Sequence, residues 1–247
     1  MRCRRWLAGL AAVALVAAGC ESGVDDGPTA STTRPASPRP VSAEQAQVLA
    51  TTLFRNYDAG SRSLETTVAV DTQKVRLKGW IDYRTHTGYA LATGVGFAPQ
   101  LLRWNLRQVG LTPASTQTAD TAPLPMPGVH WQTRSMAPSG SVLDTVLLVI
   151  AGLAQDRPEN PLLLEQGGAL WLGEDEVAGH ELMGYAAPPS EKRAEGPVDS
   201  DASGLRLWVD KTGLARRVQI RTGEDWATVD LGDADGVSLP RLPGVKR

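Results

Sequence analysis

The sequence predicts an α+β domain in which a curved antiparallel sheet wraps around one or two helices. Three observations predict it. Apolar residues recur at helical spacing up to Gly60 and then switch to alternation. The alternating segments carry one apolar and one wet face, as antiparallel sheets do. Trp80 and Trp208 fall on the polar phase of their strands and Trp104 on the apolar phase. Tryptophans in both phases fit a sheet with both faces partly covered; amphipathic surface aromatics are the alternative reading.

Taken in order, the chain opens on a basic head, Met1-Arg2-Cys3-Arg4-Arg5, followed by a charge-free apolar run of 13 residues from Trp6 to Ala18. A bilayer-spanning helix needs about 20 apolar residues, so this run reads as a secretion signal. Ala17, Ala18 and Gly19 lead directly into Cys20. That stretch resembles the bacterial lipobox, with Ala17 where a leucine is usual. The resemblance implies that the Cys20 thiol is acylated and that cleavage after residue 19 leaves it first in the mature chain. An ordinary secretory signal with an incidental cysteine is the alternative. Residues 21–41 hold four prolines and almost nothing apolar. Such a segment buries too little surface to offset ordering, so residues 20–41 read as a tether and 42–247 as the folded domain.

Ser42-Ala43-Glu44-Gln45 matches a capping box. Ala46, Leu49, Ala50, Leu53, Phe54 and Tyr57 then form one helical face, which Gly60 closes. Leu64, Thr66, Val68 and Val70 alternate, Asp71-Thr72-Gln73 turns the chain, and Val75, Leu77, Gly79, Ile81 and Tyr83 alternate again. Tyr89 to Thr93 reads as a strand. So does a segment placing Leu102, Trp104 and Leu106 against Arg103, Asn105 and Arg107. Residues 112–128, with four prolines, read as a long loop, and Val129 to Met136 as the next strand.

Ser141 caps a run from Val142 to Leu153 that is apolar nearly all round. We read it as a helix, with a β-branched strand as the competing reading. Its 12 residues are too few to span a bilayer, so it should be buried or cover an apolar groove. Residues 169–187 read as strand, turn, strand, and Pro188 to Ser203 as a polar loop. Leu205 to Val209, Leu214 to Arg221 and Trp226 to Leu231 read as strands. Asp210-Lys211-Thr212-Gly213 makes the hairpin turn between the first two.

The 247 residues carry a formal charge of −2; without residues 1–19 the balance is 22 basic to 27 acidic, or −5. A mildly acidic domain argues against a nucleic-acid partner. Cys3 leaves with the signal and Cys20 is the lipidation site, which leaves no thiol for disulfides, catalysis or metal. His86, His130 and His180 are the three histidines. Gly179-His180-Glu181-Leu182-Met183-Gly184 lacks the second histidine of a zinc-protease helix and reads as a turn. Asp233-Ala234-Asp235-Gly236 fails as a calcium loop, because Leu231 takes the first ligand position. No Walker loop, nucleophile elbow or dinucleotide fingerprint is present, so neither cofactor nor metal is expected and the chain reads as non-enzymatic. Lys74, Arg76, Lys78 and Arg103 are either a patch for anionic headgroups or ordinary solvated sheet surface.

Three places carry a family resemblance. Val75 to Tyr83 looks like an early strand, Glu176-Val177-Ala178-Gly179-His180-Glu181 is similar to a recurrent Glu-x-Val-x-Gly turn, and Leu207 to Val218 looks like a Trp-containing hairpin; Val237 to Pro240 looks like a closing strand. With the lipobox and tether, they resemble actinobacterial lipoproteins of the LolA-like superfamily, such as the mycobacterial LppX and LprG type. The resemblance implies a half-open antiparallel β-barrel plugged by helices, and a membrane-anchored binder or carrier of lipid or another amphiphile. Val75, Leu77, Ile81, Leu102, Trp104, Leu106, Leu147 and Ile150 would line its cavity. The alternative is a surface sensor that binds an envelope protein partner and no lipid.

Overall fold

A computed structural model describes residues 37–70, 72–114, 120–189 and 200–242. The expected signal, Cys20 and the expected tether up to residue 36 lie outside them, as does most of the loop expected from Pro188 to Ser203. Twelve strands form one curved, open, wholly antiparallel sheet. They are β1 (Arg39–Pro40), β2 (Ser61–Val70), β3 (Gln73–Asp82), β4 (Thr87–Gly94), β5 (Phe97–Trp104), β6 (Gln108–Pro113), β7 (Gln132–Ser135), β8 (Leu170–Val177), β9 (His180–Ala186), β10 (Leu205–Val209), β11 (Ala215–Thr222) and β12 (Asp225–Asp233). The helices are α1 (Ala43–Ala59), α2 (Val142–Gly152) and α3 (Pro161–Gln166).

The sheet is two meanders joined at one seam. Strands β2 to β7 run as consecutive hairpins, as do β8 to β12. The two halves meet where β12 pairs with β2, Leu231 opposite Leu64 and Asp233 opposite Arg62. Between the halves the chain crosses the inner face as α2, and α3 then packs against α1 before β8 begins.

Sequence and structure agree at α1, where the Ser42 hydroxyl accepts from the Gln45 amide and the Gln45 side chain accepts from the Ser42 amide. The turn after the helix is closed by Gly60 at φ +74°. The Val142 run is a helix, with Ser141 as its cap.

Other expectations are corrected. Residues 39–41, assigned to the tether, belong to the fold: Arg39 and Pro40 pair with Trp171 and Leu170, and Val41 is buried. The strand expected to carry Leu102, Trp104 and Leu106 is a hairpin. Asn105 Oδ1 accepts from the amides of Arg107 and Gln108 and turns the chain, so Leu106 sits on the turn. Val129 and His130 precede β7 as exposed coil. Val237 to Pro240 makes no strand; its Leu239 is buried as a wedge on the outer face.

Both faces are covered, as the out-of-phase tryptophans implied. The inner face forms the main core with α1 and α2. The outer face holds a second cluster in which Tyr89, Leu91 and Leu101 meet Ala122, Trp131 and Leu239, with Trp80 at its border. Trp80 stacks with Tyr89 at 6.4 Å between ring centroids, and Trp131 meets Tyr89 edge-on at 6.3 Å.

Candidate functional site

The inner face is built by alternation. Cross-strand register places Leu77, Ala92 and Gln100 in one row, and Ile81, Gly88 and Trp104 in another. Gly88 has a steric purpose: a Cβ there would lie 2.1 Å from the Trp104 indole. With glycine there, the ring packs closely against β4. Of the residues expected to line a cavity, Val75, Leu77, Ile81, Leu102, Trp104, Leu147 and Ile150 come together in the inner-face core. Leu106 does not; it is 38% exposed on the β5–β6 turn. Trp104 Nε1 and Tyr83 Oη are buried among these residues without a hydrogen-bond partner.

Beside α1, this face is covered by α2. Val146, Leu147, Ile150 and Ala151 are buried against the sheet, whereas Leu143, Leu148 and Val149 are only partly covered and Val142 is exposed. Its polar ties sit at its ends. At the start, Asp144 accepts from Arg134 Nη1 at 2.5 Å, from Arg134 Nη2 at 2.8 Å and from the Ala137 amide at 2.7 Å. The Arg134 bonds, opposed by burial, hold the Asp144 carboxyl below the usual range. At the far end His86 Nδ1 lies 2.8 Å from the Ala151 carbonyl, and Asn56 Nδ2 donates to the Leu153 carbonyl at 2.7 Å. Between the ends the contacts are apolar.

Sequence reasoning missed Arg62 in this core, although it shares the phase of Leu64 and Thr66. It is buried, and donates to the carbonyls of Gly232, Ala215 and Leu231 at 2.7, 3.2 and 2.9 Å. Burial lowers its pKa. The guanidinium thus ties β11 and β12 to β2 across the seam.

A cleft of about 730 Å³ lies on the outer face instead, over Ser63, Glu65, Lys78, Trp80, Arg217 and Asp230. The β8–β9 turn overhangs it with Val177, Ala178 and His180. None of the eight expected lining residues contributes to it. Its charges are paired: Glu65 with Lys78 at 3.9 Å and with neighbouring Arg76 at 2.6 Å, Arg217 with Asp230 at 2.6 Å, and Arg216 with Asp233 at 2.8 Å. The basic residues singled out in the sequence are dispersed likewise. Arg76 and Lys78 face Glu65, and Arg103 lies 4.6 Å over the Trp131 ring, its pKa lowered by burial. Among the described residues no group of three His, Cys, Asp or Glu side chains could hold a metal ion, and no helix is long and apolar enough to cross a membrane.

No family model and no curated protein matches the chain. Solved structures do. The lipoprotein LppX of Mycobacterium tuberculosis is 11% identical, over 78% of this chain and 98% of that one, at a TM-score of 0.41. LprF of Mycobacterium bovis is 12% identical over 82% of this chain and 98% of that one, at 0.41. An outer membrane lipoprotein-sorting domain from Vibrio parahaemolyticus is 12% identical over 83% and 95%, at 0.32.

Proposed function

We propose that the chain is an exported lipoprotein, anchored to the extracytoplasmic face of the cell membrane through acylated Cys20, that binds a lipid or other amphiphile and makes or breaks no bond. The observation that carries this reading is the cover of the inner face: a helix apolar nearly all round, tied by polar contacts at its two ends and resting on an apolar sheet. Displaced, α2 exposes a groove floored by Leu77, Ile81, Leu102 and Trp104.

Magnitudes decide what could displace it. Uncovering Val146, Leu147 and Ile150 costs about 1.5–3 kcal/mol each. An acyl chain recovers ~0.8 kcal/mol per buried CH₂, so roughly 6–11 methylenes offset that cost. Medium and long acyl chains therefore bind, and short ones do not. The test is organic extraction and mass spectrometry of the purified protein. Stoichiometric acyl species released on denaturation support a carrier; clean protein that also takes up no added lipid overturns it.

The outer cleft favours a second reading, an interaction module for an envelope protein. On it Trp80, beside an overhanging hairpin, anchors a partner side chain. On that reading Trp80→Ala abolishes partner capture and leaves acyl binding untouched.

A further inference from the structure

One end of the strands carries an apolar set that the core does not use. On α3, Leu162 is 60% and Leu163 65% exposed. The helix is a single short segment started by the Asn160 cap and Pro161, and it presents these leucines outward while Leu164 points into the core. Following the antiparallel order from β8 through β12, β2 and β3 places the β4–β5 turn at the same end of the strands. That turn carries Val95, 96% exposed. Val142, at the start of α2, reaches the same end, where it lines a small cleft with Thr222 and Gly223 of the β11–β12 turn.

The tether joins the domain beside these residues. The Val41 amide donates to the Ala169 carbonyl, and the Ala169 amide donates to the Leu164 carbonyl. Arg39 and Pro40 are therefore fixed one strand start away from the exposed leucines. Only 18 residues separate Cys20 from Arg39. Even fully extended they reach about 60 Å, so an anchored domain stays within about that distance of the bilayer. An exposed apolar set beside the point of attachment meets that bilayer at high effective concentration.

We propose that this end, through Leu162, Leu163 and Val95, docks into the leaflet that holds the Cys20 lipid, so that the end of the groove where α2 begins faces the membrane. The inference rests on the anchored-lipoprotein reading. The occupant is lipid, because the tether delivers this end to a bilayer whatever else is present. Docking would let an acyl chain pass between leaflet and groove without crossing water.

The test uses the acylated full chain on vesicles of phosphatidylethanolamine and phosphatidylglycerol. Once Cys20 is acylated the mature chain has no other thiol, so a single introduced cysteine takes a fluorophore. Labels are placed by Leu163→Cys and Val95→Cys, and by Glu181→Cys at the opposite end of the strands. Nitroxides on the lipid chains should quench the labels at 163 and 95, whose emission the apolar leaflet should also shift to the blue, and leave the label at 181 as in solution. Protein that co-sediments with the vesicles but shows equal, solution-like emission at all three positions overturns docking while leaving the anchor intact. Protein that does not co-sediment overturns the anchor, and docking falls with it.

Discussion

Arg62→Met tests the seam between the two meanders most directly. Methionine keeps an unbranched, apolar stem of similar reach, so the packing around Leu64 and Leu231 is largely retained. What goes is the guanidinium and its bonds to three carbonyls. A buried acceptor left without its donor costs about 1–3 kcal/mol, which sums to roughly 3–9 kcal/mol for three. Against this, the folded state no longer takes a charge out of water, which returns several kcal/mol. The expected net loss is about 2–4 kcal/mol. Urea denaturation should show a lower midpoint with an unchanged slope. Arg76→Met is the control, because Arg76 and Glu65 are each nearly half exposed and such pairs contribute at most about 1 kcal/mol. A loss below about 1 kcal/mol at Arg62, equal to the control, would refute the reasoning: the three bonds would then only balance the desolvation they accompany.

Three further outcomes follow. Asn56 donates to the Leu153 carbonyl and accepts from the Ala215 amide, so Asn56→Ala leaves two buried groups unpaired and should lower stability by about 2–4 kcal/mol in the same assay. The Asp144 carboxyl is held below its ordinary 3.8, chiefly by Arg134, so its contribution is complete above that value and is lost as pH falls through the lower folded value. Acid titration of stability should therefore be shallower below pH 3.8 in Asp144→Asn than in the parent. Burial raises the Tyr89 and Tyr185 phenols to about 12 and Tyr83 higher still. The unfolded chain ionises these groups first, so stability should decline above the ordinary value of 10, with phenolate absorbance rising in step with unfolding rather than before it.

What could be read from the sequence was what has a local cause. The capping box of α1 and the alternation of β2 and β3 are short-range patterns, and both stand in the structure. The β5–β6 hairpin was hidden because Leu102, Trp104 and Leu106 keep a two-residue period straight through the turn. The turn is made by one asparagine side chain, to which hydrophobic periodicity is blind. Helix α3, with six residues, is too short for a period to register; its only signal was Asn160-Pro161, a cap followed by proline. Arg62 did carry a signal, a cation in phase with Leu64. Which distant carbonyls would receive it is settled by the β12–β2 pairing, across some 170 residues of chain. The candidate lining was legible as an apolar face, while its filling by α2 depends on where a crossover lands.

The two faces of the sheet are closed by different means, and the difference bears on the proposed binding. The outer face is wedged by Trp131, Ala122 and Leu239, which come from irregular chain on both sides of the fold and interlock with Tyr89. The inner face is closed by α1, which leads directly into β2, and by α2, whose polar ties lie at its ends. Local opening needs only those ties and a few apolar contacts to yield, whereas opening β2 and β3 breaks the seam and the core together. Amide hydrogen exchange should accordingly show α2 opening at a fraction of the global free energy, with β2 and β3 exchanging only on global unfolding. A bound long-chain amphiphile should raise exchange in α2 while leaving β2 and β3 protected, because it replaces the helix against the sheet. If α2 exchanges only with the strands, and acyl ligands leave it unchanged, the helix is a fixed part of the core. The inner face is then no binding surface, and the outer cleft remains as the place for a partner.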